Sequence, residues 1–133
     1  MKLESLPQAV RAAVAAVQNK KGAGLTVLDL RGMGAFTDYF VICTAFSTPQ
    51  VQAICEEVEK QLDRVGRSAA HREGLRSSDW ALLDFGSFVV HVFSEQGRRY
   101  YDLERLWRPA KRLEVPDEPA NVLPASAAGE LRP

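Results

Sequence analysis

A catalytic site in this chain would have to be assembled from Asp38, Cys43, Cys55, His71, Glu73, Asp84 and His91. A thiol beside an imidazole base does nucleophilic chemistry, a carboxylate beside an imidazole passes protons, and a His/Cys/Asp/Glu cluster holds a metal. The spacing favours none of these. Neither GxxxxGK[ST] nor GxGxxG occurs, and Gly32 and Gly34 in GMGAF lack the continuation a phosphate cradle needs, so they read as loop punctuation. No CxxC or HxxxH pair is present, so a zinc site would draw on scattered ligands. Cys43 lies inside the run YFVIC, where a thiol packs as a small hydrophobe; a nucleophilic Cys43 with His91 as base is the weaker reading. The expectation is a chain with no catalytic residues, no cofactor and no metal.

The elements that would position these groups follow from the hydrophobic pattern. Residues 5–19 read as a helix, with Ser5 and Gln8 as a capping box and Leu6, Val10, Ala13, Val14 and Val17 on one face. Residues 25–31 read as a strand. Residues 39–44, YFVICT, are apolar on both faces, as a central strand covered on both sides would be. Ser47-Thr48-Pro49-Gln50 is a second capping box with a proline in the first turn, and Gly66 closes the helix that follows.

Residues 80–93 read as a hairpin turning at Gly86-Ser87 in a type II′ turn. That register sets Phe85 against Phe88, Leu83 against Val90 and Ala81 against Val92. One face is then wholly apolar, and the other carries Trp80, Leu82, Asp84, Val89, His91 and Phe93. Asp84 and His91 stand diagonally within side-chain reach, as an acid/base pair or, the favoured reading, a structural hydrogen bond. Trp80, at a strand edge beside a polar loop, suits core and interface alike, whereas Trp107 reads as core. A short strand near 69–73 and a last helix over 100–107, stopped by Pro109, complete an α/β domain with a mixed sheet.

Composition sets the class. The chain has 133 residues, 46% of them hydrophobic, enough for one domain with a real core. Seventeen Lys and Arg balance 17 Asp and Glu, so bulk charge does not announce a nucleic-acid binder. Locally, Arg98, Arg99, Arg105, Arg108, Lys111 and Arg112 are interleaved with Tyr and Trp, either touching phosphate or forming a solvated helix face. Cys43 in an apolar run and Cys55 on an apolar helix stripe fit a reducing compartment, and MKLESLPQAV lacks the apolar core of a signal peptide, so a cytoplasmic location is expected. No apolar run approaches the roughly 20 residues a membrane span requires. The proline-bearing stretch 114–133 reads as a mobile tail.

The stretches DLRGMGAFTDYFVICTAFS (29–47), REG (72–74), DWALLDFGSFVVHVF (79–93) and RRYYDLERLW (98–107) together resemble the ribosomal silencing factor, or Iojap-like, family. The resemblance spans about residues 4–113 and implies a domain over 1–113. Its fold would be nucleotidyltransferase-like without the active site, since TDYF offers only Asp38 where paired aspartates would be needed. It implies docking on the large ribosomal subunit through ribosomal protein fourteen, which blocks joining of the small subunit and slows translation under starvation. A homodimer when free is also implied. Carried onto this chain, the docking residues would be Trp80 as apolar anchor, Asp84 and His91 as hydrogen-bonding groups, and Tyr101, with Glu73 and Asp79 at the rim. Arg98 or Arg99 would reach partner carboxylates or rRNA phosphate. Ala45 and Ser87 depart from the family's usual glycine and acid, both in loops. The alternatives are a large-subunit assembly factor and a degenerate nucleotidyltransferase-like enzyme.

Overall fold

Proline dictates where the first helix begins. The computed structural model describes residues 1–75 and 79–118, and α1 spans Gln8–Asn19 with Pro7 at its N-cap. A residue before proline is pushed out of the helical region, and Leu6 is extended at φ −74°, ψ 152°. The helix therefore cannot run back to Ser5, which ends a separate 3-10 turn, and the expected Ser5–Gln8 box does not form. Leu6 still turns inward beside Val10, Ala13, Val14 and Val17, so the expected apolar face is intact.

Strands β1 (Ala23–Asp29) and β2 (Tyr39–Thr44) pair antiparallel. Helix α2 (Thr48–Arg64) follows. Ser47 Oγ accepts from the Gln50 amide at 3.1 Å, as expected of the cap. The returning Gln50 side chain accepts from the Phe46 amide instead of that of Ser47, at 2.7 Å, and donates to the Lys20 and Lys21 carbonyls. The start of α2 is thereby fastened to the end of α1. At the other end Gly66, at φ +78°, lets the Arg67 amide reach the Leu62 carbonyl at 2.9 Å, the closing pattern of a glycine-terminated helix.

Strand β3 is His71–Glu73, β4 is Trp80–Asp84 and β5 is Phe88–Phe93. The hairpin holds the expected register, Leu83 opposite Val90 and Ala81 opposite Val92, with positive φ at Gly86 but not at Ser87. β5 then lies parallel to β2, giving a mixed sheet in the order β3-β4-β5-β2-β1-β6. β2 is central and buried along its whole length, as its pattern requires.

The C-terminal part differs from expectation. In place of one helix over 100–107 there are two, α3 (Glu95–Tyr101) and α4 (Leu103–Leu106), separated by Asp102 in the left-handed region at φ +48°. Ser94 caps α3 by accepting from the Gly97 amide at 2.9 Å, and aspartate tolerates the left-handed break better than most residues. Beyond it, β6 (Lys111–Glu114) pairs antiparallel with β1. Val115 is buried, the Pro116 carbonyl accepts from Gln18 at 2.9 Å, and Asp117 accepts from the Gly24 amide at 3.1 Å. The boundary expected at 113 thus falls inside a strand, and the chain stays tied to the fold through Asp117. Residues 119–133 of the expected tail lie outside the described residues.

The two sheet faces are unequal. α1 and α2 cover one, sealing the larger core around Val41, Ile54, Leu62, Phe88 and Val90. The opposite face carries a smaller cluster, Leu28, Phe40, Ile42, Val89 and Phe93, closed by Leu103 and flanked by Trp80 and Trp107.

Candidate functional site

The period of two along β4 and β5 places Trp80, Leu82, His91 and Phe93 on that less covered face. Trp80 stacks on Phe93, ring centroids 5.2 Å apart, and Tyr101 of α3 lies against the indole at 4.5 Å. The indole Nε1 donates to His91 Nδ1 at 3.0 Å. His91 is 3% exposed, and burial pushes its pKa down to about 3, so the ring is neutral and carries its hydrogen on Nε2. Nε2 has no hydrogen-bond partner among the described residues; the Phe40 ring meets the imidazole at 4.4 Å in a T-shaped contact. His91 is therefore a buried post that orients Trp80 and presents nothing to solvent itself.

A groove of about 320 Å³ opens over this pair, lined by Glu73, Gly74, Asp79, Trp80, Leu82 and Tyr101. Gly74, at φ +73°, lies so close to the Trp80 carbonyl that a side chain there would collide with it. Glu73 bonds His71 at 2.6 Å on the exposed edge strand. Asp79 joins β4 to α3: its carboxylate accepts from the Ser94 hydroxyl at 2.7 Å and its carbonyl from the Ser94 amide at 3.1 Å. Gly97 packs directly on it, leaving no room for a Cβ. The structure thus brings together Glu73, Asp79, Trp80 and Tyr101, a half-buried indole and an exposed phenol between two exposed carboxylates.

Asp84 is elsewhere. It lies at the far end of β4, where its carboxylate accepts from the Gly86 amide at 2.8 Å. The expected Asp84–His91 hydrogen bond does not form. His91 stands opposite Leu82, with Asp84 on one diagonal and Trp80 on the other; the turn amide takes Asp84 and the indole takes His91.

Arg98 also departs from its expected role. It points inward, 17% exposed, and donates to Glu104 at 2.7 Å, Thr44 at 3.1 Å and Thr26 at 3.2 Å, so it is not free to reach a partner. Burial works to raise the Glu104 carboxyl, but the Arg98 and Arg112 guanidinium groups hold it below its ordinary value. Arg99 is exposed.

The chemistry-bearing residues stay apart. Cys43 and Cys55 are buried on the helix side, where desolvation pushes both thiols up to about 12, while His91 is on the other face. Among the described residues no group of three or more His, Cys, Asp or Glu is placed to hold a metal, and no helix is long and apolar enough to cross a membrane. Sequence reasoning passed over three exposed apolar side chains, Phe36, Phe46 and Leu106, and Tyr100, one of the aromatics interleaved with the basic stretch, is exposed as well. Phe36 lies in the loop before β2 and Phe46 in the turn into α2, where no periodicity set either apart.

Comparison with known proteins gives the family and the fold. Residues 3–131 match the family model described as "Ribosomal silencing factor during starvation". The ribosomal silencing factor RsfS of Bacillus subtilis is 41% identical over 101 residues, 76% of this chain and 86% of that protein. A crystal structure of a Chromobacterium violaceum protein superposes with a TM-score of 0.73 at 30% identity, covering 81% of this chain and 88% of that one. One of a Bacillus halodurans protein superposes with a TM-score of 0.69 at 38% identity, covering 80% and 96%.

Proposed function

Because this chain belongs to the ribosomal silencing factor family, we propose that it docks on the large ribosomal subunit, chiefly on ribosomal protein fourteen, and keeps the small subunit from joining. Translation would slow in this way when nutrients are scarce. The observation that carries the reading is the Trp80–Tyr101 groove between Glu73 and Asp79. A rigid, half-buried indole beside an exposed phenol is the composition of an interface anchor, and the carboxylates suit a partner rich in Lys and Arg. Steric exclusion needs no reaction, so a chain with inert thiols and a neutral, buried imidazole is sufficient for it. Asp84 would serve by shaping the hairpin turn and His91 by holding Trp80. A cytoplasmic location and a homodimer in the free protein belong to the same reading.

Sucrose-gradient sedimentation of purified subunits tests it. Co-sedimentation with the large subunit and fewer joined ribosomes are expected. Binding that leaves joining unchanged would favour a role in large-subunit assembly, and no association with either subunit would remove the reading.

A further inference from the structure

The arginines near the C-terminal end divide into two sets. Arg98 and Arg112 are tied to Glu104. Arg99, Arg105 and Arg108 form no ion pair among the described residues and are exposed. Asp102, at φ +48°, separates α3 from α4, and the three arginines line one groove of about 680 Å³. Tyr100 and Leu106 line it too, 79% and 70% exposed, and Asp102 is the one carboxylate of its lining.

Tyr101 borders both this groove and the Trp80 groove. The surface is therefore two-ended: Glu73 and Asp79 rim one side, and three guanidinium groups line the other. A cationic protein suits the first end and is repelled by the second. Guanidinium forks match phosphate oxygens bidentately, and an exposed phenol offers a flat face on which an unpaired base stacks.

Resting on the reading that the chain docks on the large subunit, we propose that the α3–α4 groove is its RNA contact, with Arg99, Arg105 and Arg108 on phosphates and Tyr100 stacked on an unpaired rRNA base. The chain's net charge of zero makes the contact local, confined to these side chains.

Two measurements on purified large subunits test this. Full-length protein carrying Tyr100→p-benzoylphenylalanine is irradiated on the subunit, and the adduct is digested with nuclease or protease. A nuclease-sensitive adduct is expected; an adduct to protein alone, or none, while co-sedimentation persists would overturn the proposal. The salt dependence of binding is then compared for the wild type and the Arg105→Gln/Arg108→Gln variant. The log–log slope is expected to become shallower by roughly 1.4–1.8, at about 0.7–0.9 per lost phosphate contact. An unchanged slope would also overturn it. Failure of the wild type itself to co-sediment would remove the docking reading and this inference with it, whereas wild-type binding without RNA at position 100 removes this inference alone.

Discussion

Trp80 meets solvent and His91 does not, yet the two are joined by a 3.0 Å hydrogen bond from the indole Nε1 to the imidazole Nδ1. The exposed ring is thus held in place from below, and its orientation depends on a residue that is itself buried.

Trp80→Phe keeps an aromatic ring but removes the donor. It leaves Nδ1 of a 3% exposed histidine unpaired and is expected to cost about 1–3 kcal/mol of stability, read from urea midpoints. Trp80→Ala and Tyr101→Ala, in protein shown to be folded by circular dichroism, are each expected to weaken large-subunit binding by about 2 kcal/mol or more, roughly 30-fold. Unchanged binding in both would put the docking surface elsewhere.

The same histidine predicts a pH dependence. Its pKa falls from 6.5 to about 3 on burial. The unfolded chain therefore binds a proton that the folded chain refuses between these values, and stability is lost as pH falls through that window. Near pH 5 the loss should reach about 2 kcal/mol relative to pH 7, at roughly 1.4 kcal/mol per unit below the unfolded pKa. Urea titrations at pH 7 and pH 5 should show this drop in the wild type and a smaller one in His91→Asn.

Arg98 ties three parts of the chain together, bonding Glu104 on α4 and the hydroxyls of Thr26 on β1 and Thr44 on β2. Arg98→Ala would leave the 16% exposed Glu104 with only Arg112 for neutralisation, at a cost of about 2–3 kcal/mol. Glu104→Gln, which keeps an acceptor oxygen, should cost less. Equal losses in chemical denaturation would show that packing, and not the charge pair, is what matters there.

A chain ended after residue 113 loses the buried Val115 and the bonds from Gln18 to Pro116 and from Gly24 to Asp117. It is expected to be about 2–3 kcal/mol less stable than one ended after residue 118. Identical melting curves would mean that the segment rests on the fold without supporting it.

Local signals were the legible ones. The cap at Ser47, Gly66 and the glycine-first turn at Gly86 each set a backbone conformation within a few residues, so α2 and the hairpin register could be read directly. Pro7 was equally local, and its effect on Leu6 marks the start of α1 better than the Ser5–Gln8 pattern did. What escaped depends on distant partners. The inward turn of Arg98 requires Thr26 and Thr44, and pairing of β6 requires β1. The diagonal that brought Asp84 and His91 within reach was read correctly, but His91 had two diagonal neighbours and the choice between them rested on the turn amide. Of the residues expected at the site, Trp80, Tyr101, Glu73 and Asp79 do come together, because β3 beside β4 brings Glu73 near Trp80 while α3, tied to Asp79 through Ser94, lays Tyr101 against the indole.

The pairing of β6 with β1 has a consequence for synthesis. A chain leaves the ribosome with its first residues foremost, so β1 and β2 emerge while Lys111–Glu114 are still unmade. Throughout that interval the outer side of β1 presents unpaired backbone groups, an open template for another nascent chain. The strand that covers it is the last of the six to be translated, and it replaces the apolar border of β1 with an edge carrying Lys111, Arg112 and Glu114, charges that discourage a further strand from pairing.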